Sequence, residues 1–598
     1  MTRKPTFGLA SAVAAALVAC GGAPGEKRFP LREPMWRDTD LASVSVRCHP
    51  EPTRKDPRHV SCAPAPYTSP IYWDGTDSLI FRPLTDAVGV VTSGESVNVN
   101  SLDEVPDSAW FQNRLAVRAV GDDELRLGAC SRDQILDPAS AADGTWIIDK
   151  GKGEGSTPGF RVIVPGKGKY MLKSDAPQDH QPERMAAAST MGSSIYHAVG
   201  YYVSCEQVVY IRPSILKLTP GLTTKGNFEE EKPFDQKALD EVVANATKRN
   251  GLLRFSASAW LPGHSIGPFR FEGVRDDDPN DVVRHEQRRE LRGLRVLAAW
   301  IGRHDAREAN SLDAWFADDP RKVDSSPGHV IHYQLDVSET LGSMSLGGGS
   351  DPVAQWNWDT VARRLGASYV IDWAYIGGDL VTLGIPQRHW DKITTTPGRE
   401  IFGYYNVRDF VPDEWKSMYP NPAFSRMTER DAAWMARILA RFTPRMLRTL
   451  AEAGDFSAAE NTAYIASVLE GRLERILDRY LTRLSPIADL RVESGDRLCG
   501  VDLADKRGVR ESVRFHYAAR YVRGPALGVT RKEGGEICVA LTHVARDGGA
   551  ADDAAERYAR VIVEDSVARG PLVAHLYDLG PTRGFRLVGL ERPEHVPR

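Results

Sequence analysis

The chain has 598 residues, of which 42% are apolar and 26% charged, and its formal net charge at pH 7 is −4. This length exceeds one ordinary core and predicts about three or four domains of a folded, soluble protein. The near-neutral charge gives no indication of nucleic-acid binding or of a polybasic membrane surface. Beyond the N-terminus, no stretch is apolar for the roughly 20 residues that a spanning helix needs.

The N-terminus has the pattern of an export signal. Arg3 and Lys4 form a positive region, residues 7–19 form a short apolar region, and residues 17–20 read LVAC. Small residues before a cleavage point are typical of a signal peptide.

The cysteine at this place resembles the one in a bacterial lipobox. The resemblance implies that residues 1–19 are a removed signal peptide and that Cys20 carries diacylglyceryl and palmitate groups. Because Gly21 follows, and not the Asp of a retention signal, the implied location is the outer membrane of a bacterial envelope. The alternative is an ordinary signal peptide with an incidental cysteine.

Six further cysteines follow in the chain. An oxidising compartment favours pairing between those that are near in sequence, namely Cys48 with Cys62 and Cys499 with Cys538. Cys205 lies in an apolar run and is expected to be a small buried side chain. No C-x-x-C and no Cys/His cluster of zinc spacing occurs.

The first part of the mature chain has little periodicity. Residues 20–66 are rich in Pro, Arg, Asp and Ser and are predicted to be a tether, partly ordered between Cys48 and Cys62. Residues 67–143 are predicted to be a packed N-terminal extension. Its stretch DEVPDSAWFQNR (103–114) is a structural cap or, alternatively, part of a ligand site.

Residues 144–265 alternate short β-branched runs with one helix. The stretches TWIID, FRVIV and KYMLKSD predict strands, and KGKGEGSTPG (150–159) is a glycine-rich turn between the first two. A helix is predicted over 182–200, since it opens with Pro and stops at Gly, and VVYIR (208–212) is another strand. This order of elements is that of a kinase small lobe.

Residues 266–487 are mainly helical. An amphipathic helix is predicted over 282–302 and leads directly to IGRHDAREAN (301–310). A hairpin around DDPRKVDSSPG follows, and helices dominate from about 352 to 484, two of them with capping boxes or near-boxes at Thr428 and Ser457. Residues 488–598 contain segments of alternating apolar and polar residues that are divided by Gly, Asp and Pro. This pattern predicts an all-β, sandwich-like domain.

The small-lobe candidates are glycines, a lysine and a glutamate. Glycines allow backbone N–H groups to approach phosphates, so the turn is a candidate nucleotide loop, although a plain hairpin loop is the alternative. Of its four glycines, the candidates are Gly151, Gly153 and Gly155. Lys173 lies on the following strand, where it could hold phosphates or be a solvated edge residue. Glu183 opens the next helix and could pair with Lys173 or simply complement the helix dipole.

The large-lobe candidates follow in kinase order. Asp305 is the candidate that accepts a hydroxyl proton, Asn310 is a candidate Mg²⁺ ligand, and Arg307 lies between them as a basic residue near the γ-phosphate. Asp336 ends an apolar strand and is the second candidate Mg²⁺ ligand. A single D-x-x-x-x-N match is expected by chance about once in a chain this long, so the hypothesis depends on the order of the parts.

These stretches resemble the atypical kinase-like families around HipA, the spore-coat kinase CotH and the phosphoinositide kinases. The resemblance covers roughly residues 144–484 and implies a bilobal α+β fold, Mg²⁺, and ATP or another nucleotide. The chain is also similar to uncharacterised bacterial lipoproteins that contain DEVPDSAWFQNR and STPGF. It departs from the kinase pattern at Val337 and Ser338, which stand where Phe and Gly would follow the aspartate, and in its irregular glycine loop.

The sequence therefore predicts an envelope lipoprotein whose kinase-like domain transfers phosphate to a protein or small hydroxyl acceptor. Because ATP is scarce outside the cytoplasm, the alternative is a non-catalytic, pseudokinase-like scaffold that binds a partner through its β domain. A hydrolase is a weaker third class, since no G-x-S-x-G occurs.

Overall fold

The computed structural model describes residues 27–52, 56–68, 71–84, 94–152, 157–175, 182–225, 231–244, 246–343, 359–509, 515–543 and 557–594. The predicted signal peptide, Cys20, Gly153 and Gly155 lie outside these residues. The described chain combines helices with several sheets, which confirms the α+β class. No helix within it is long and apolar enough to cross a membrane.

The strands are numbered in chain order: β1 (His49–Pro50), β2 (Val60–Ser61), β3 (Trp146–Gly151), β4 (Gly159–Val164), β5 (Gly168–Ser174), β6 (Tyr202–Val203), β7 (Glu206–Ile211), β8 (Leu216–Leu218), β9 (Thr223–Lys225), β10 (Glu231–Pro233), β11 (Lys248–Arg249), β12 (Leu252–Ala259), β13 (His264–Ser265), β14 (Ser311–Ala317), β15 (Gly328–Gln334), β16 (Ile487–Glu493), β17 (Arg497–Asp502), β18 (Tyr517–Tyr521), β19 (Ala526–Leu527), β20 (Val529–Arg531), β21 (Glu536–Ala540), β22 (Tyr558–Asp565), β23 (Leu572–Asp578) and β24 (Phe585–Glu591).

The α-helices are numbered in the same way: α1 (Ile71–Thr76), α2 (Asp122–Leu127), α3 (Arg184–Val199), α4 (Gln236–Ala244), α5 (Arg289–Ile301), α6 (Trp373–Thr382), α7 (Pro422–Ser425), α8 (Glu429–Leu439), α9 (Pro444–Ala453), α10 (Ala459–Ile476) and α11 (Leu503–Arg507).

A seven-stranded sheet forms the first large unit. Its order is β11-β12-β5-β4-β3-β8, with β7 on the other edge of β12, and all pairs are antiparallel except β3 with β8. An apolar core that includes Phe160, Leu172 and Phe255 covers one face of this sheet. Because side chains alternate along a strand, the residues next to these face the opposite side, where α3 packs.

Helix α3 confirms the helix predicted over 182–200 but differs from an ordinary amphipathic helix. All of its residues except His197 are buried, and most are Ala, Ser, Thr, Met or Gly. Small side chains allow the helix to lie close to the sheet on one side and to the helical part of the chain on the other.

The helical part is organised around α5. This helix begins at Arg289, seven residues later than predicted, because the residues before it form a turn and a short 3-10 helix over His285–Gln287. Twelve of its thirteen residues are buried, among them Trp300. It ends at Gly302, whose φ of 71° lies in the left-handed region that glycine tolerates, and this turns the chain into the Asp305 loop.

The predicted hairpin after that loop is confirmed as β14 paired with β15. β13 and β6 complete a four-stranded sheet in the order β13-β14-β15-β6. The capping box at Thr428 is also confirmed, at the start of α8. The box predicted at Ser457 is wrong, because α10 begins at Ala459 and Ser457 bonds to Glu183 instead.

The C-terminal strands form two sheets, in the orders β16-β17-β21-β20 and β19-β18-β22-β23-β24. Side chains from both sheets, including Leu498, Val539, Val561 and Leu576, share one apolar core, as expected of a sandwich. The short helix α11 is the α-helical exception in the described part of this region.

Two sequence expectations about the rest of the chain need correction. Cys48–Cys62 and Cys499–Cys538 are disulfides as predicted, but Cys205 is also bonded, to Cys130. The described part of the expected tether is attached to the rest of the protein at several points, since Phe29 and Val46 are buried and Val44 forms a β-bridge with Gly328.

Candidate functional site

The loop after α5 brings Asp305, Arg307 and Asn310 together. The Asn310 amide Nδ2 donates to the Asp305 carboxylate Oδ2 at 2.7 Å and to the Asp305 carbonyl at 2.8 Å. Arg307 Nε lies 3.0 Å from Asp305 Oδ1. Because the Asn310 nitrogen is used inside the loop, its amide oxygen is the atom that could meet a cation.

This loop lies beside the end of β15. Asn310 immediately precedes β14, and the Leu335 N–H just after β15 donates to the Asn310 carbonyl at 2.9 Å. Arg303 donates to both segments, at 2.7 Å to the Leu335 carbonyl and 3.3 Å to that of Asn310. The antiparallel hairpin therefore brings Asn310 and Asp336 to the same end of one sheet.

Lys173 and Asp336 connect the two sheets at this point. Lys173 Nζ on β5 lies 2.9 Å from Asp336 Oδ1, and Ser338 Oγ donates to the same oxygen at 2.6 Å. The Asp336 side chain nevertheless keeps 40% of its surface exposed, against 12% for Lys173. Asp336 also has a φ of 45°, a conformation that non-glycine residues adopt rarely and that is enriched at functional sites.

The charges of this pair stabilise each other. The dense surroundings would by themselves raise the pKa of Asp336, but Lys173 and the hydrogen bonds from Lys173 and Ser338 outweigh that effect and hold this pKa well below its usual range. Burial would likewise lower the pKa of Lys173, and Asp336 together with Glu206 raises it instead. Both groups are therefore charged at neutral pH.

Glu183 is not brought to Lys173. Its Oε2 accepts hydrogen bonds from the Ser457 N–H at 3.0 Å and the Ser457 hydroxyl at 2.9 Å, ahead of α10. Its backbone has a φ of 68° and its carbonyl accepts from Arg254. The expected pair between Lys173 and Glu183 is thus replaced by contacts of Glu183 with the helical part.

Glu206 is the carboxylate that sequence reasoning missed. It is buried at the start of β7 and accepts from Ser189 at 2.8 Å, from Ser204 at 2.7 Å and from Ser258. Burial raises the pKa of Glu206, while Lys173 and the three serine hydroxyls oppose that shift. In the strand register, Lys173 and Glu206 lie on the same face of the sheet, with β12 between them.

A second missed carboxylate is Glu339, three residues after Asp336. Its Oε2 lies 3.3 Å from His304 Nε2. Burial raises the pKa of Glu339, the hydrogen bond from His304 opposes this, and the charges of Asp305 and Asp336 reinforce it. No sequence motif that we recognise marks either Glu206 or Glu339, since their roles depend on strand register and on the fold of a loop.

The glycine turn has a packing explanation at its first glycine. A Cβ at Gly151 would overlap with the ring of Phe234, so glycine is required there whether or not a phosphate approaches. Gly153 and Gly155, the other candidates in this turn, lie outside the described residues.

A fully buried ion pair joins the sheet to the helical part. Arg254 Nη1 on β12 donates to Asp175 Oδ2 at 2.6 Å, and both side chains have no exposed surface. The same guanidinium donates to the Gly454 carbonyl at 2.7 Å, after α9. It therefore fixes the sheet that carries Lys173 relative to the part that carries Asp305.

The residues present fit a magnesium-bound phosphate in type. Carboxylate and amide oxygens are the ligands that Mg²⁺ takes, usually one or two from the protein with the rest from water and phosphates. Asp336 is ionised and partly exposed, and a lysine that neutralises phosphate lies beside it. The Asn310 oxygen is at the same end of the hairpin.

A cavity of about 240 Å³ lies elsewhere, among aromatic and basic side chains of the helical part such as Tyr375, Trp390 and Arg363. Of the residues discussed above, His304 and Gly302 contribute to its wall. The candidate site is defined by the side chains described above and not by this cavity.

Comparison of the chain with protein-family models, with curated proteins and with solved structures finds no match. The geometry of the site is therefore the basis for the functional proposal.

Proposed function

We propose that residues 144–487 are a kinase-like domain that binds Mg²⁺ with ATP or another nucleotide and transfers phosphate to a hydroxyl group. The carrying observation is the 2.9 Å pair between Lys173 and Asp336, which joins the seven-stranded sheet to the hairpin end beside the Asp305 loop. Partly exposed charged side chains that come from two different sheets and contact each other are typical of sites that position a charged ligand.

Each residue has a definite task in this proposal. Lys173 neutralises phosphate oxygens, Asp336 and Asn310 hold the metal, and Asp305 accepts the acceptor's hydroxyl proton. Bound Mg²⁺ supplies charge neutralisation of the phosphates. Arg307, in contact with Asp305, contributes positive charge near the transferred group. The negative charge that the sequence suggested at Glu183 comes instead from Glu206, which lies on the same face of the sheet and raises the pKa of Lys173.

The proposal also includes the location. The LVAC stretch supports removal of residues 1–19 and lipid attachment at Cys20, which would anchor the protein in the envelope, in the outer membrane.

One observation favours the second candidate, a non-catalytic scaffold. Both carboxylate oxygens of Asp305 already have neighbours, Asn310 at 2.7 Å and Arg307 at 3.0 Å. Each oxygen retains a second lone pair, but Oδ1 is buried, so an incoming hydroxyl has limited access to this carboxylate. The enzyme and the scaffold therefore differ at Asp305 and not at Asp336.

Binding and transfer measured on matched variants test the proposal. Thermal unfolding of the wild type with Mg-ATP should show stabilisation, and Asp336→Asn should weaken Mg²⁺-dependent affinity by about tenfold or more because a metal ligand is lost. Asp305→Asn should bind nearly as the wild type does and lose transfer. The control variant is Asp133→Asn, at an exposed aspartate in the 3-10 helix Arg132–Gln134.

The outcomes separate the two candidates. Wild-type protein that Mg-ATP never stabilises would refute the nucleotide-binding proposal altogether. Binding with autophosphorylation that Asp305→Asn abolishes supports the enzyme. Binding without transfer to any acceptor favours the scaffold.

A further inference from the structure

The segment over residues 27–37, KRFPLREPMWR, is fixed on the surface of the C-terminal sandwich. The Phe29 ring packs with Tyr577 and Val588, and the Tyr577 hydroxyl donates to the Phe29 carbonyl at 3.1 Å. The Phe29 N–H donates to the Tyr558 hydroxyl at 3.0 Å. Further along, Asp107 exchanges backbone hydrogen bonds of 2.9 Å with Trp36 and 2.7 Å with residue 38. The segment is thus held at both ends.

Its outward side chains are apolar and basic. Leu31, Met35 and Trp36 are exposed by 43%, 52% and 46%. The exposed basic residues of the segment are Lys27, Arg28, Arg32 and Arg37. Glu33 is the segment's acid, so four positive charges and one negative give +3, and Glu33 is itself paired with Arg586 of the sandwich. This local charge contrasts with the net −4 of the chain.

The exposed apolar surface extends beyond the segment. Trp36 and Val117, which is 58% exposed, line one cavity of about 340 Å³ together with Leu490 and Leu590. Tryptophan beside basic side chains is the composition that settles at a membrane–water interface, because the ring lies at headgroup level and the charges attract anionic lipids.

The distance along the chain sets where this surface must lie. Seven Cα-to-Cα steps separate Cys20 from Lys27, which span at most roughly 25 Å when fully extended. A lipid on Cys20 therefore keeps the fixed segment within that distance of the bilayer. A free tether over residues 20–66, as the sequence suggested, would have allowed a much larger distance between the folded protein and the bilayer.

We propose that residues 27–37, with Val117, form a membrane-contact surface whose occupant is the anionic bilayer that holds lipidated Cys20. This inference rests on the lipid-anchor part of the proposed function and not on phosphoryl transfer. Contact fixes the orientation of the protein on the membrane, since the segment is rigidly attached to β23 and β24 through Phe29. A lipid anchor with several acyl chains already retains the protein, so the surface contributes orientation and not retention.

The first experiment measures the surface without the anchor. The chain from residue 20 onward with Cys20→Ser is sedimented with vesicles of phosphatidylethanolamine and phosphatidylglycerol, and with phosphatidylcholine vesicles. We expect binding to the anionic vesicles that salt weakens. Each of Arg32→Gln and Arg37→Gln should lower the affinity by about fivefold, and the pair combined in one variant should lower it further. Arg132→Gln with Lys169→Gln removes the same charge from exposed sites on or beside the seven-stranded sheet and should leave the affinity unchanged.

The second experiment uses the lipidated full chain in vesicles. A dye on Leu31→Cys should be quenched by brominated lipid, while the same dye on Ile163→Cys, an exposed site of the seven-stranded sheet, should not. The intact mass reports lipidation separately, and neither experiment contains nucleotide. An unquenched dye at position 31 in acylated protein overturns the proposal, as does an unacylated Cys20 or equal vesicle affinity of the two charge-loss pairs.

Discussion

Removing the carboxylate of Asp175 should strongly destabilise the protein. In the wild type, Arg254 and Asp175 form an ion pair at 2.6 Å with no exposed surface on either side chain. Asp175→Asn keeps the size of the side chain and can still accept the Ala186 N–H that bonds Asp175 Oδ1 at 2.8 Å. What it removes is the negative charge that balances a buried guanidinium.

The magnitude follows from what is left behind. Arg254 would keep its neutral acceptors, the carbonyls of Glu183 and Gly454 at 2.7 Å each, but these do not balance its charge. Breaking a buried pair from one side typically costs about 3–5 kcal/mol, because the remaining charge stays desolvated. A double variant, Asp175→Asn with Arg254→Met, should recover part of this loss because no charge remains buried.

Denaturant unfolding, with the disulfides kept oxidised, measures these differences in the transition that includes the seven-stranded sheet. The matched control is Glu452→Gln, which breaks a pair with Arg126 of similar length, 2.8 Å, whose side chains are 46% and 47% exposed. That variant should cost less than about 1 kcal/mol. Equal losses for Asp175→Asn and Glu452→Gln would refute the reasoning, since burial is the difference between them.

Three further predictions concern other parts of the chain. Replacing Cys130 and Cys205 by Ala should lower the free energy of unfolding by about 2–4 kcal/mol, measured by denaturation, because their bridge closes a long loop with a sequence separation of 75. Burial raises the pKa of Asp40 to about 6. The stability that this group contributes is therefore present below its unfolded pKa and is lost as the pH rises through about 6. The difference in unfolding free energy between wild type and Asp40→Asn should change between pH 4 and pH 7, and a constant difference would contradict this. Gly589→Ala should expel the Phe29 ring, which its Cβ would overlap, and make the N-terminal segment sensitive to trypsin while leaving the sandwich folded.

Elements with a strong local signal could be predicted from the sequence. The Pro and Gly limits of α3, the hairpin of β14 and β15 and the alternating strands after residue 487 are encoded by residues close to one another in the chain. The start of α5 could not be, because residues 284–288 (RHEQR) include good helix formers and no Pro or Gly stop, yet they fold as a turn and a 3-10 helix.

Long-range partners could not be read in the same way. Proximity in sequence predicted two disulfides, but Cys130 and Cys205 are 75 residues apart and meet because the chain before β3 packs along β7. Similarly, the composition of residues 27–66 is typical of a tether, yet Phe29 finds an apolar pocket on strands more than 500 residues away. Composition describes a segment's own tendency and not the surface that it meets.

The separation of Glu183 from Lys173 has the same cause and bears on the proposed function. A helix that opens with an acid suggests a partner for the strand lysine, but Glu183 adopts a left-handed conformation that directs the chain toward Ser457. Glu206 instead sits two strands from Lys173, where three serine hydroxyls hold it buried. Ser189 belongs to α3 and Ser258 to β12, so helix and sheet together hold Glu206. The Lys173 amino group itself is held by Asp336 at 2.9 Å. Asp336 is the more exposed member of the pair, so in the proposed function it is the group that an incoming metal or nucleotide meets first.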